Sequence, residues 1–360
     1  MKCHIDILSQ HIQHVVKRTE AHSRSWGSVF VTYLYYSQVI SQLPSPEVLG
    51  IHFNRVQSND KIPGETSLYM YIDQNEPGWN TLRFDSRTYT FQDTKKEKEQ
   101  CGVIPPEYVF VDDKCFMGNG KIKEVILPPK CRIIGRQAFE GCQFRKSVQF
   151  PNTLKEIKKR AFAENHNLRQ TVFPSSLEIL GAQAYRECNN LKKVVFSQSS
   201  RCTAIPEGAF DSCVRLNEII LPKSVRVIDK MAFYRCKELK KIQLPSSLRF
   251  IGEQAFYFCG LEELVLPPGL VEIGDSAFFR CKNLRHVRIP QSVRTLGRWV
   301  FHGSSRLEYL DIFHDPEYIG PWIVNKSCTI RCRKGSKIDA YCDEYELKRE
   351  YICEEDRKES

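Results

Sequence analysis

The chain has 360 residues, 41% of them hydrophobic and 27% charged, with a formal net charge of +10. This composition excludes a low-complexity or wholly disordered chain. No apolar run approaches the roughly 18 residues that a membrane-spanning helix needs; Val29 to Ile40 is too short and carries Thr, Ser and Gln. Met1 to Thr19 scatters His, Gln, Ser and Asp, whereas an export signal has a basic start, an apolar run and a small-residue cleavage site. No leader is readable, so the compartment expected by default is the cytoplasm. Ile5 to Val16 predicts a short helix with Ile5, Leu8 and Ile12 on one face. Ser67 to Ile72 and Thr81 to Phe91 read as strands, and the turn-prone Asn75 to Asn80 between them suggests a hairpin. His4, His11, His14 and His22 have no Cys or carboxylate partner at a metal-site spacing, which favours a solvated helix surface over a metal site. The charged run Asp93 to Gln100 marks the boundary of this region.

Beyond residue 102 one phrase recurs, clearest as Leu248-Arg-Phe-Ile-Gly-Glu-Gln-Ala-Phe-Tyr-Phe-Cys259. Its aromatic falls at Phe116, Phe139, Phe162, Tyr185, Phe210, Phe233, Phe256, Phe278 and Phe301, in steps of 23, 23, 23, 25, 23, 23, 22 and 23. Such a period is the signature of a stacked repeat array. The first half of each repeat alternates: in Leu284 to Pro290, Val287 and Ile289 face one way and His286 and Arg288 the other, a strand that stops at proline. Gly274 is then expected to turn the chain, and Ala277-Phe278 to plug the interior through roughly one turn of helix. Inward columns of Ile, Leu and Val run five and eight residues before each aromatic and bury a core that no single repeat could bury alone. The 25-residue step adds two residues within Ser197 to Cys202, the 22-residue step drops one at Cys259-Gly-Leu261, and at Arg145 a charge takes a leucine position beside Phe144.

Fifteen cysteines invite a disulfide reading, but Cys142, Cys188, Cys213, Cys236, Cys259 and Cys281 all stand three residues after the repeat aromatic. Asn119, Asn165 and Ser304 share the column. The pattern predicts small buried thiols packed as hydrophobes, close enough at strand stacking of about 5 Å for accidental bridging under oxidation. After Phe301, Ser327 to Tyr345 reads as a strand, a Gly-Ser helix start and an amphipathic helix. Cys328, Cys332 and Cys342 there fit no strong zinc template. No cofactor and no metal is expected.

The repeat resembles the BspA-like, or Treponema-type, leucine-rich repeat family. The family phrase L-P-x-x-(L/V)-x-x-I-G-x-x-A-F-x-x-C followed by L-x-x-(V/I)-x-(I/L) stands at Leu244 to Leu266 and at Leu266 to Ile289, and Gly335 to Tyr341 is similar to the family's closing G-S-x-A-x-x-Y. The resemblance implies an α/β, strand-rich solenoid: a curved array of about nine 23-residue repeats with one parallel strand per repeat on the concave face. It implies no catalytic residues, and many members are surface or secreted proteins that bind host or matrix proteins. The expected division is 1–102 as a cap or small α+β domain, 103–326 as the solenoid, 327–345 as a capping segment and 346–360 as a charged tail.

Stacking turns columns into stripes, so the exposed strand positions are the candidate binding residues. One column holds Ile126, Gln149, Val172, Val195, Ile220, Gln243, Val265, Arg288 and Asp311, an apolar stripe at five of nine sites. Such a stripe marks a partner site, although β-branched residues suit any strand surface. Two residues earlier stand Glu124, Ser147, Gln170, Lys193, Glu218, Lys241, Glu263, His286 and Tyr309. One earlier again stand Lys123, Lys146, Arg169, Lys192, Asn217, Lys240, Glu262, Arg285 and Glu308, six of them basic. Residues 103–345 carry 38 Lys and Arg against 26 Asp and Glu, so the positive charge belongs to the repeats. The leading expectation is a non-catalytic scaffold that binds a protein partner on the concave face, with no membrane insertion and no small-molecule substrate. One alternative is attachment to an anionic partner (an acidic protein, a glycan or a nucleic acid) through the basic stripe. Another is a small enzyme domain within 1–102, with Cys3 or Cys101 as nucleophile beside one of the histidines, whose substrate the repeats recruit.

Overall fold

The computed structural model describes residues 87–94, 100–145 and 147–351. The helix expected over Ile5 to Val16, the strand over Ser67 to Ile72 and most of the run from Asp93 to Gln100 lie outside them. Of the strand expected over Thr81 to Phe91, Thr88–Tyr89 is described, and it pairs in parallel with Phe110–Val111.

Residues 85–360 form one compact unit built as a parallel-stranded solenoid. Each coil has three walls. The first is the strand that the alternation predicts. It stacks as Cys101–Val103 on Glu124–Ile126, Gln170–Phe173 on Lys193–Phe196 on Glu218–Ile220, and His286–Arg288 through Tyr309–Asp311 and Thr329–Cys332 to Lys348–Tyr351. Its burial alternates, exposed-buried-exposed in Glu218–Ile220, because successive side chains point to opposite faces.

The second wall is a ladder of two-residue strands at the x-Ile positions before the glycine column. Five pair from Thr88–Tyr89 to Ile179–Leu180, and six from Ala204–Ile205 to Tyr318–Ile319. The coil therefore has two parallel ladders where one strand per repeat was expected. The gap in the second ladder falls at the two added residues. There Ser200 is buried, its hydroxyl donating to Leu177 O at 2.7 Å and accepting from Cys202 N at 3.2 Å, so the bulge closes on itself.

The third wall, expected to be helical, is a chain of turns. Gln137, Phe139 and Gly141 donate to the carbonyls of Lys159, Ala161 and Ala163 one coil on, at 3.0, 2.8 and 2.9 Å. Ala138, Glu140 and Cys142 bond back to Gly135, Gln137 and Phe139. Gln137 and Gly141 have φ of 57° and 70°. These left-handed residues break helical continuity and send every second N–H to the neighbouring coil.

The glycine column does something other than turn the chain. Gly274 has no left-handed φ; a Cβ there would lie 2.7 Å from Glu253 N and 2.8 Å from Gly252 C. It is glycine because two coils touch backbone to backbone at that point.

Inside, the aromatic column is a continuous stack. From Tyr89 through Phe116 to Phe301, adjacent ring centroids are 5.1–5.8 Å apart. Offset parallel rings at such spacing add about 0.5–1.5 kcal/mol per pair beyond burial. Phe144 is fully buried against Phe139 and Phe162, filling the space left by exposed Arg145. The column cysteines are buried free thiols. Each donates to the carbonyl of the aromatic one coil back, as Cys142 Sγ to Phe116 O at 3.3 Å and Cys281 Sγ to Phe256 O at 3.1 Å. Ser304 Oγ and Asn165 Nδ2 make the same bond to Phe278 O and Phe139 O, at 3.2 and 2.8 Å. Burial pushes the Cys142 thiol up to about 12.

The stack extends beyond the readable repeats at both ends. Tyr89 extends the aromatic column before Phe116, and the coil that contains it begins well ahead of residue 103. After Phe301, Ile323 and Val324 fill the Ala-Phe positions of a further coil, both buried. The helix Lys337–Glu344 follows, its N-cap Ser336 accepting from Asp339 N. Tyr341 Oη there donates to Gly320 O at 3.0 Å and accepts from Ile323 N at 3.1 Å.

Candidate partner-binding face

The outer surface of the first wall gathers the columns singled out in the sequence. Parallel pairing puts Ile126 beside Gln149, and Val172, Val195 and Ile220 side by side. Ile126 is 53% exposed, Val172 50%, Ile220 40% and Val265 81%, whereas Val195 is half-buried. The stripe also begins one coil earlier than the repeat signature does. Val103 pairs with Ile126 and is 48% exposed. Sequence reasoning missed it because that coil lacks the Ala-Phe-x-x-Cys phrase, although Cys-Gly-Val alternates as a strand should.

The flanking charges are ordered into pairs along the stack. Lys193 meets Glu218 at 2.7 Å, Lys241 meets Glu263 at 2.8 Å, Lys240 meets Glu262 at 2.9 Å and Arg285 meets Glu308 at 3.0 Å. Glu263 is the cause of a raised Lys241 ammonium, by hydrogen bond and by charge. Lys123 donates to Gln100 Oε1 at 2.7 Å. Lys146 lies outside the described residues. The basic column is thus interrupted: Arg169 and Lys192 have no acidic partner among the described residues, while Lys240 and Arg285 are matched by the next coil.

At the C-terminal end the stripe turns polar. Asp311, one of the nine column residues, is buried and accepts from Arg331 Nε and Nη2 at 2.6 and 2.7 Å. His286 Nε2 lies 2.8 Å from Asp311 Oδ2, and the Arg331 guanidinium covers the Tyr309 ring at 5.1 Å. His286 and Tyr309 are therefore partly committed to each other and to this network. Arg288 is exposed, with its guanidinium over the Phe313 ring at 5.4 Å.

Among the described residues no cluster of three or more His, Cys, Asp or Glu could hold a metal ion, and no helix is long and apolar enough to cross a membrane. Cys101 stands half-buried on its strand, and the histidines weighed as its partners are outside the described residues.

A family model described as a BspA type leucine rich repeat region matches residues 109–213 and 203–331, in 6 copies. No curated protein matches. Among solved structures, a leucine-rich repeat protein from Bacteroides ovatus is similar, with 22% identity, a TM-score of 0.55, and coverage of 67% of this chain and 64% of that one. This chain thus spans less than two thirds of that protein's length, and the likeness shows the fold. A leucine-rich repeat protein of T. pallidum shares 31% identity over 45% of this chain and 77% of its own, with a TM-score of 0.42. A leucine rich cell surface protein from Faecalibacterium prausnitzii shares 21% identity over 72% of this chain and 89% of its own, with a TM-score of 0.44.

Proposed function

The chain belongs to the BspA-type leucine-rich repeat family, and from that premise we propose that it is a non-catalytic scaffold that captures a protein partner on the outer face of its first strand wall. The observation that carries this reading is the apolar stripe Val103, Ile126, Val172, Val195, Ile220 and Val265 on the stacked coils, interrupted by Gln149 and Gln243 and unbroken from Val172 to Ile220. Exposed β-branched side chains lose water when a partner covers them, a gain of roughly 25 cal/mol per Å². The Lys–Glu pairs beside the stripe can exchange partners across an interface, which favours orientation and specificity over affinity. Glu124, Lys193, Lys241, Arg288 and Tyr309 would form the polar rim.

The alternative through the basic column has weaker support, because Lys240 and Arg285 already have glutamate partners. A catalytic role has no cluster among the described residues behind it. A surface or adhesin-like role rests on the family likeness alone.

The test is capture by the full chain against capture by the triple variant Val172→Asp, Val195→Asp, Ile220→Asp. A discrete protein should be retained by the parent chain at moderately high salt and lost by the variant, with unfolding midpoints that agree. Retention by both would move the binding site off this face.

A further inference from the structure

The turn wall carries a second feature, at the coil shortened by one residue. Three successive coils read Tyr234-Arg-Cys-Lys-Glu-Leu239, Tyr257-Phe-Cys-Gly-Leu261 and Phe279-Arg-Cys-Lys-Asn-Leu284. Tyr257 is stacked between Tyr234 and Phe279, at centroid separations of 4.8 and 5.1 Å, outside the core. Phe258 has an ammonium over its ring from each neighbouring coil, Lys237 Nζ at 5.5 Å and Lys282 Nζ at 5.7 Å. Gly260 stands where the other two coils have lysine; a Cβ there would lie 2.1 Å from Lys237 O. The short coil thus sets a ring, and no third lysine, between two cations that are about 10 Å apart at strand spacing.

Arg235, Lys237, Arg280 and Lys282 are all exposed and have no acidic partner among the described residues. Glu238 is the one carboxylate within the three segments. Asp211, whose charge reaches Tyr234, is held by Arg186 Nε at 3.1 Å, while Glu253 holds Lys230 at 2.9 Å and Asp275 holds Arg298 at 2.7 Å. Holding like charges together without counter-ions costs free energy, and an exposed array of this kind draws anions. Ring edges carry partial positive charge, so the aromatic edges reinforce the cations. Phe258 also keeps a φ of 57°, a conformation unfavourable for a bulky residue.

We propose that this notch binds a polysaccharide bearing sulfate or carboxylate groups, with the anions at Lys237, Lys282, Arg235 and Arg280. Sugar hydroxyls would meet the Tyr234 and Tyr257 hydroxyls, which have no protein partner among the described residues. Two other polyanions fit less well. Single-stranded nucleic acid needs free ring faces for its bases, and here Tyr257 is covered by rings and Phe258 by ammonium groups. An acidic peptide strand needs unpaired backbone, but Arg235 N and Phe258 N donate to Tyr257 O and Phe279 O at 2.8 Å, and Tyr257 N to Gln254 O at 3.1 Å. The remaining recognition elements are fixed cations, ring edges and hydroxyls.

The experiment measures fluorescence anisotropy of labelled dextran sulfate with the full chain near physiological ionic strength. Neutral dextran, oligothymidylate and polyglutamate serve as competitors. Lys237→Glu with Lys282→Glu should weaken binding by about ten-fold or more, and Phe258→Gly, which suits the left-handed backbone, by several-fold. Arg201→Glu with Lys223→Glu, exposed between the two strand walls, should change it by less than about two-fold. Matching unfolding midpoints exclude misfolding. No binding of dextran sulfate overturns the proposal, and so does equal loss in the two double variants, which would mean diffuse attraction by net charge. Stronger competition by oligothymidylate or polyglutamate than by unlabelled dextran sulfate would overturn the glycan assignment in favour of those classes.

Discussion

Cys, Ser and Asn can share one buried column because each brings a short side chain with a donor to the carbonyl of the aromatic one coil back. Read for hydropathy, the column is one of small hydrophobes; Asn165 and Ser304 hold the correct signal, since a donor is the property all three residue types have in common. Asn165 is the poorest fit. Its Nδ2 donates to Phe139 O and Phe162 O, but its Oδ1 is buried without a partner among the described residues. An unmet buried acceptor costs about 1–3 kcal/mol. Asn165→Cys keeps a donor of similar size and should raise stability by about 1 kcal/mol in urea unfolding; a lower midpoint would mean that the lost amide bonds outweigh the orphaned oxygen. The aromatic column, by contrast, was fully legible. Phe233 lies within it, fully buried between Phe210 and Phe256 at 5.6 and 5.1 Å. Phe233→Ala should cost about 3–5 kcal/mol, and an unchanged midpoint would contradict the packing described here.

At the scale of the element, legibility tracked length. The first strand runs three or four residues and alternates, which is enough for period two to show. The second ladder contributes two residues per coil, too few for any period, and its existence depends on neighbouring coils rather than on local propensity. The turn wall reads as helix in the sequence because Ala-Phe in a compact, partly apolar segment also suits a helix. What separates them is backbone handedness at Gln137, Gln254 and Ser276, ordinary residues with φ near 55°, and no residue type announces that conformation. The glycine before this wall is the element's tightest constraint. Gly274→Ala would place a methyl group 2.7 Å from Glu253 N and force two coils apart, costing about 1–3 kcal/mol as overpacking does. In Gly118→Ala no described atom lies within 4 Å of the added carbon, so that variant bears only the left-handed backbone cost of about 1–2 kcal/mol. Thermal unfolding of the two variants side by side separates close approach from backbone strain; equal shifts would count against the coil contact.

A solenoid's stability is the sum of its coils and the interfaces between them, so its ends decide whether the sum holds. Both ends of the readable array depart from the repeat phrase. At the N-terminal side Tyr89 substitutes for a missing repeat aromatic, and at the C-terminal side Ile323-Val324 substitutes for Ala-Phe. The candidate face suffers from the same limit, since its apolar column is legible from Ile126 onward whereas Val103 and the Asp311–Arg331 network emerge only from the stacking. The helix Lys337–Glu344 packs against this last coil, with Ile338, Tyr341 and Cys342 buried, and Tyr341 occupies the Gly320 carbonyl and the Ile323 amide that would otherwise face water or another molecule. The strand Lys348–Tyr351, the last of the first ladder among the described residues, carries charged and mostly exposed side chains, of the kind that resist further pairing. Ending the chain after residue 333 removes both devices. It leaves Thr329–Cys332 as an open edge and uncovers Ile323 and Val324. The truncated chain should melt at lower temperature and self-associate in sedimentation, with the loss greatest at the C-terminal coils in hydrogen exchange. Tyr341→Phe, which deletes only the hydroxyl's two bonds, should reproduce the local loss of protection at Ile323 without association. If the truncated chain stayed monomeric with its protection pattern intact, the last coil would be self-sufficient and the helix would have no capping role.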